Sequence, residues 1–189
     1  MTGSIPDPTT EAAGSPRGLA AVPPTMRPAA AADWQAIWPI WHRIVAEGGT
    51  YSYPRDTDER TAAGLWMLPS PAQVFVAELP DEAGRQRIVG SALLKPVQPG
   101  AGAHIANASF MIDPDQAGAG LGRALARHVL AEARAAGYRA MQFNAVVETN
   151  HAAVRLWTSL GFAILTTVPE AFRHPEHGLV GLHVMHRRL

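Results

Sequence analysis

Residues 118–122 read Gly-Ala-Gly-Leu-Gly and fall between a β-rich run and a helical one. At such a junction free backbone N–H groups and the positive end of a helix dipole converge on one point, which suits a phosphate. Glycine lets the backbone approach an anion closely and take positive φ where the turn demands it. A flexible connector would have the same composition, so the loop by itself leaves both readings open. Two other phosphate motifs do not fit. Gly122 is followed by Arg123-Ala124 instead of the Lys-Ser/Thr that ends a nucleoside-triphosphate loop, and the glycine spacing is not that of a dinucleotide fingerprint.

About thirty residues later Asn150 opens a second helical run. Asparagine is among the best N-caps, and its amide can face a ligand at the same time. Asn107 and Asn144 lie within β-rich runs, where their amide N–H groups could orient a carboxylate or carbonyl; polar residues satisfied on a strand would look the same. Glu148 and His151 flank Asn150 and could take up a proton through a water relay, although a solvated strand-end carboxylate is an equal reading of Glu148. His174-Pro175-Glu176-His177 has metal-ligand residue types but is too incomplete for a site, so no metal is expected. The chain has no cysteine, which excludes a disulfide frame, thiolate metal sites and a cysteine nucleophile.

The elements that position these residues follow from periodicity and turn signals. Residues 25–28 suit a short strand. Asp33 is a candidate N-cap for a helix to about Glu47, ended by Gly48-Gly49, with Pro39 expected to kink it or break its first turn. Trp34, Ile37, Trp38, Trp41, Ile44 and Val45 give that helix an aromatic, buried face. Residues 58–68 suit a second helix. The runs 73–79 and 87–94, separated by Pro80-Asp81-Glu82-Ala83-Gly84, predict an antiparallel hairpin, and 104–112 a further strand closed by Asp113-Pro114. Leu121, Leu125, Val129 and Ala133 share one face of a helix that Gly137 ends. Then come a strand over 138–147, a helix over 151–160 and strands over 162–168 and 179–187. This order implies a mixed sheet with helices on both sides.

Composition bounds the rest. With 189 residues, 47% of them hydrophobic, the chain can bury one sizeable core. Sixteen Lys and Arg balance sixteen Asp and Glu, so no global field exists to hold nucleic acid or an anionic membrane, and neither is an expected partner. Residues 1–24, rich in Pro, Gly, Ala and Thr, read as a disordered tail without the features of a signal peptide, and residues 25–189 as one domain. No run approaches the ~20 apolar residues of a membrane span, so a cytoplasmic location is expected.

Together, Gly118 to Gly122 after a strand, and the segment from Asn150 through Trp157 to Gly161-Phe162, resemble the two signature segments of the GNAT superfamily of acetyl-CoA-dependent N-acetyltransferases. The likeness covers all but the tail. It implies an α/β (α+β) fold with a mixed, mostly antiparallel sheet of about seven strands and helices on both faces. It also implies acetyl-CoA as co-substrate, with its diphosphate on Gly118, Ala119, Gly120, Leu121, Gly122, Arg123 and Ala124. Pantetheine would lie in a gap between strands 104–112 and 138–147, pairing with the backbone of Met111 and Ile112, and Asn150 would meet its arm or thiol end. Asn107-Ala108-Ser109-Phe110, Phe143-Asn144, Glu148-Thr149-Asn150 and Ala171-Phe172-Arg173-His174-Pro175 are similar to the branch containing the fungal acetyltransferase of proline analogues. That similarity places Asn107, Phe110 and Asn144 at the acceptor pocket. Tyr51 and Tyr53 are added as lining residues; Trp34, Trp38 and Trp41 could join them, but core packing is the better reading of the tryptophans.

Three departures from the family pattern stand out. Ala117 occupies the place of the Arg or Gln that opens the glycine loop. Asn107 replaces a carboxylate found in related enzymes. Trp157, seven residues after Asn150, stands at the cofactor where the family often has a tyrosine as general acid, and its indole has no titratable proton for that task.

The expected activity is direct acetyl transfer to the amine of a small molecule, an amino acid or analogue, with Asn150, Asn107 and Glu148 as the catalytic set. An amine with a pKa near ~10.4 costs about 4.6 kcal/mol to deprotonate at pH 7, one near ~7.8 only about 1. Without an evident base, weakly basic amines are favoured, which conflicts with the strong basicity of cyclic secondary amines. The alternatives are acetylation of a protein N-terminus or Lys, and a catalytically silent acetyl-CoA sensor. A homodimer is compatible with either reading.

Overall fold

A computed structural model describes residues 23–189; the expected tail lies outside the described residues apart from Pro23 and Pro24. The β-rich runs form a seven-stranded sheet of β1 (Thr25–Pro28), β2 (Gln73–Pro80), β3 (Gln86–Pro96), β4 (Ile105–Ile112), β5 (Ala140–Val147), β6 (Ala163–His174) and β7 (Gly178–Arg188), in the order β1-β2-β3-β4-β5-β7-β6. Every neighbouring pair is antiparallel except β4 and β5, which are parallel. The β2–β3 hairpin turns where the sequence predicts it: the Asp81 carboxylate accepts from the N–H groups of Ala83 and Arg85, and Gly84 supplies a φ of 76°.

Helix α1 (Trp34–Glu47) and α2 (Glu59–Trp66) cover one face of the sheet, burying Ile37, Ile40, Trp41, Val45, Ala62 and Trp66 against Val74, Val76, Leu93 and Met111. Helix α3 (Leu121–Ala135) and α4 (His151–Ser159) cover the other, where Leu121, Leu125, Val129 and Trp157 meet Phe75, Ala106, Ala108, Phe143 and Met185. The expected split of helices between two faces is therefore present, because each helix has one apolar stripe to bury.

Three local expectations change. Asp33 does not cap α1. It lies in helical conformation as the last residue of a 3-10 turn (Ala31–Asp33), and its carboxylate accepts from Ala30 N–H at 2.7 Å and from the Arg27 guanidinium at 2.7 and 2.9 Å. Pro39 neither ends nor interrupts α1; it removes one N–H from the ladder, and the buried stripe on either side holds the helix together. Strand β6 continues beyond residue 168 to His174, because a register shift between Val168 and Phe172 takes up Pro169, which has no N–H to pair, and pairing with β7 then resumes. Among the described residues no helix is long and apolar enough to cross a membrane.

Candidate active site

The parallel pair β4–β5 is joined only at Ile105 with Ala140 and Ala106 with Met141; beyond that the strands separate. Along β4 the backbone alternates sides. Arg139 N–H bonds the C=O of His104 toward β5, while Val97 N–H bonds that of Ile105, and Asp113 N–H reaches Val89 C=O, toward β3. The β3–β4 register has no shift, so the N–H and C=O groups of Ala108, Phe110 and Ile112 face the gap, and those of Met111 face β3 opposite Ser91.

A cavity of about 420 Å³ passes through this gap. Gly122, Ile112, Asn150, Ala153, Leu156 and Trp157 line it on the α3–α4 side, and Thr50, Tyr51, Ser52 and Tyr53, from the loop after α1, line it on the other. Strand alternation sends Phe110 and Phe143 toward α4, where their rings pack on Trp157 at centroid distances of 4.9 and 4.7 Å. Asn107 and Asn144 are directed toward the tyrosine side, and the irregularity between Phe143 and Val146 leaves Asn144 exposed. The cleft thus has a deep wall of aromatic rings on one face of the sheet and an amide-rich mouth on the other.

Each amide has one end already committed. The Asn107 NH2 group donates to Gln142 C=O at 2.8 Å, which leaves its Oδ1 as an acceptor. The Asn144 Oδ1 accepts from the Gln142 side chain at 2.7 Å, which leaves its NH2 as a donor. Asn150 caps α4 through Oδ1, accepting from Ala153 N–H at 3.0 Å, so its NH2 is what remains for the cleft. The cap leaves that end of the side chain open to a ligand.

The glycine loop adjoins the gap. Gly118 and Gly120 have φ of 83° and 77°, and a Cβ added to either would meet nothing within 4 Å. Gly122 needs no unusual backbone; a Cβ there would only touch Leu156 and Ile112. No side chain caps α3. The N–H groups of Arg123 and Ala124 are taken by Gly120 C=O, which leaves the amides of residues 118–122 as free donors at the helix start. This open, donor-rich turn fits a diphosphate, and the unpaired edge of β4 fits an amide-bearing arm leading from it. Gly118, Ala119, Gly120, Leu121 and Gly122 would hold the first, and the backbone of Ile112 and Phe110 the second.

The other candidates are placed apart. The Glu148 carboxylate accepts from Gly181 N–H on β7, His151 is exposed at the start of α4, and neither lines the cavity. The Phe110 ring lies on the α4 side, away from the asparagine mouth. Trp34, Trp38 and Trp41 are absent from the lining and stack on one another. His174 Nδ1 accepts from the N–H groups of Glu176 and His177, and among the described residues no group of three metal-ligating side chains occurs. Sequence reasoning missed Gln142, which bridges Asn107 and Asn144; its two-residue spacing from Asn144 on one strand face was the available signal.

The sequence profile of the acetyltransferase (GNAT) family matches residues 34–162. A GCN5-related N-acetyltransferase from Kribbella flavida is similar in structure, with 50% identity, a TM-score of 0.81 and coverage of 88% of this chain and 98% of that one. The putative acetyltransferase YncA of Salmonella typhimurium, solved with its cofactor acetyl-CoA, has 26% identity, a TM-score of 0.72 and coverage of 89% and 95%. N-acetyltransferase aca1 of Schizosaccharomyces pombe is 34% identical over 90 residues, 48% of this chain and 43% of its own length, so the chain's match spans less than half of that relative. With a profile covering more than half the chain, and with a similar GCN5-related N-acetyltransferase structure matched over 88% of it, the chain belongs to the GNAT family of acetyl-CoA-dependent acetyltransferases.

Proposed function

We propose that this acetyltransferase moves the acetyl group directly to the amine of a small molecule, an amino acid or an analogue of one. Acetyl-CoA supplies the activated acyl group as a thioester; without a cysteine, the acceptor amine itself is the nucleophile. The observation that carries this reading is the continuity of one cavity from Gly122 to Asn144. Its volume suits a small ligand. At its mouth Asn107 Oδ1 can accept from an amine N–H, and Asn144 NH2 can donate to a carboxylate, a pairing complementary to the two ends of an α-amino acid. Asn150 NH2, left unpaired by the cap, would orient the carrier. Among the described lining residues, Tyr51 and Tyr53 alone are titratable, and both hydroxyls have pKa values raised by burial. Neither is a base near neutral pH. Glu148 could act only through water, so weakly basic amines should be the better acceptors. The cytoplasm is the compartment this reading implies.

One observation favours a second reading, a silent acetyl-CoA sensor: Trp157 fills the place of a general acid with an apolar ring packed on Phe110 and Phe143. Thiol release from acetyl-CoA across a panel of amino acids, cyclic analogues, peptides and polyamines separates the two. Turnover with small amino acids and none with peptides is expected. Tight binding of acetyl-CoA with no turnover on any amine would leave the sensor standing.

A further inference from the structure

Tyr51 belongs to the loop after α1, yet its hydroxyl reaches into the gap between β4 and β5. It donates to Phe110 C=O at 2.7 Å and accepts from Phe110 N–H at 3.1 Å. Both bonds fall on the strand edge that β5 abandons. A buried peptide N–H or C=O without a partner is costly, and one phenol here satisfies the two groups together. Burial raises the hydroxyl's pKa, with a smaller push from Tyr53 and an opposing pull from the bond to Phe110. The group stays protonated near neutral pH and remains both donor and acceptor. The ring is held by stacking on Tyr53 at 5.7 Å and by an edge contact with Trp66 at 6.3 Å.

The same strand edge is the passage from the glycine turn to the asparagine mouth. Ile112, whose side chain would touch a Cβ on Gly122, is the first residue whose backbone groups face the gap, and Phe110, held by Tyr51, is the next. An amide-bearing arm anchored by its diphosphate at residues 118–122 has to pair along this edge to reach Asn107. It needs the N–H that Tyr51 occupies, because one N–H cannot serve two acceptors at full strength.

We infer that Tyr51 is a positioning residue that stands in for the pantetheine arm: its hydroxyl holds the backbone of Phe110 in an open, pairing-ready conformation and is displaced when the carrier binds. The inference deepens the carrier reading and rests on it. It also separates Tyr51 from ordinary cavity lining, since removing a stand-in strengthens binding, whereas removing a ligand contact weakens it.

Tyr51→Phe is the test, with calorimetry of coenzyme A and of ADP, which has a diphosphate but no pantetheine arm. The variant should bind coenzyme A about ten-fold more tightly, since the ligand-free state now has an unsatisfied strand edge that the arm repairs. ADP affinity should be unchanged, and the Tm should fall in the ligand-free protein but not at coenzyme A saturation. Unchanged or weaker binding of coenzyme A would overturn the inference, and so would an equal gain for ADP. Should the variant fail to fold, wild-type protein labelled with 15N-phenylalanine answers the same question. Coenzyme A must shift the Phe110 amide resonance while ADP leaves it in place; a Phe110 amide unmoved at coenzyme A saturation overturns the role of Tyr51 alone. Absence of coenzyme A binding to wild type would overturn the carrier reading with it.

Discussion

Three asparagine side chains each commit one end to the structure and leave the other unpaired, and the proposed use of the unpaired end can be measured. Asn150 spends Oδ1 on the α4 cap, and serine caps about as well but offers no NH2. Asn150→Ser should therefore keep the wild-type Tm while kcat/KM for acetyl-CoA falls about ten-fold or more. Asn150→Ala should lose the same activity and also about 1 kcal/mol of stability. Equal activity in a folded serine variant would remove Asn150 from the mechanism. Asn144 keeps its NH2 free, so Asn144→Leu should raise KM for acceptors that carry a carboxylate and leave simple amines of similar size unaffected. A uniform loss across both classes would argue against carboxylate recognition there.

Among the elements, the glycine turn and the start of α1 show how backbone demands and side-chain pairing share the work. Gly120 adopts a φ of 77° in open space, so Gly120→Ala should cost about 1–2 kcal/mol of backbone strain and weaken coenzyme A binding by narrowing the approach to the turn. Gly122→Ala, free of that strain, should leave thermal stability near wild type. At the head of α1, Arg27 links Asp33 and Glu78 at 2.7 and 2.6 Å. Hydrogen bonding to Arg27, followed by that from Ala30 N–H, holds the Asp33 carboxyl below its ordinary pKa against the cost of burial. A depressed carboxylate pKa stabilises the fold above the unfolded value of ~3.9, and the contribution disappears as pH falls through the folded value. Asp33→Asn should therefore lower stability by about 1 kcal/mol at pH 7, and the gap from wild type should close on acidification below about pH 4. A gap independent of pH would assign the effect to the Ala30 contact instead.

For the molecule as a whole, splitting one strand pair opens a passage through the sheet. If β4 and β5 stayed paired to their ends, the glycine turn and the asparagines would lie on opposite faces with no passage between them. The sheet also ends on a long edge strand: β6 is exposed along most of its length, and Ile164, Leu165 and Val168, with Leu179 on β7, are its large exposed apolar residues. Unprotected edges of this kind invite pairing, so the homodimer compatible with the sequence would find its seam here. Sedimentation velocity should then show a dimer for wild type and a monomer for Leu165→Lys; a monomeric wild type at assay concentration would dispose of the dimer.

Much of this was written locally in the chain. The glycine turn, the Asn150 cap, the β2–β3 hairpin and the two-faced helix arrangement follow from backbone freedom, capping chemistry and apolar periodicity, all of which act over a few neighbouring residues. The resemblance carried by residues 118–122 and 150–162 extended those pieces to a family and a carrier. What the chain could not state locally is which end of each amide stays free, because Gln142 decides that for Asn107 and Asn144 across two strands. Nor could it show that Arg27, close in sequence but held on β1 against Glu78, draws Asp33 away from a cap. The meeting of Tyr51 with Phe110 spans 59 residues of sequence. No local propensity encodes a contact at that separation; it exists only once the sheet has split and the loop after α1 has packed over the opening.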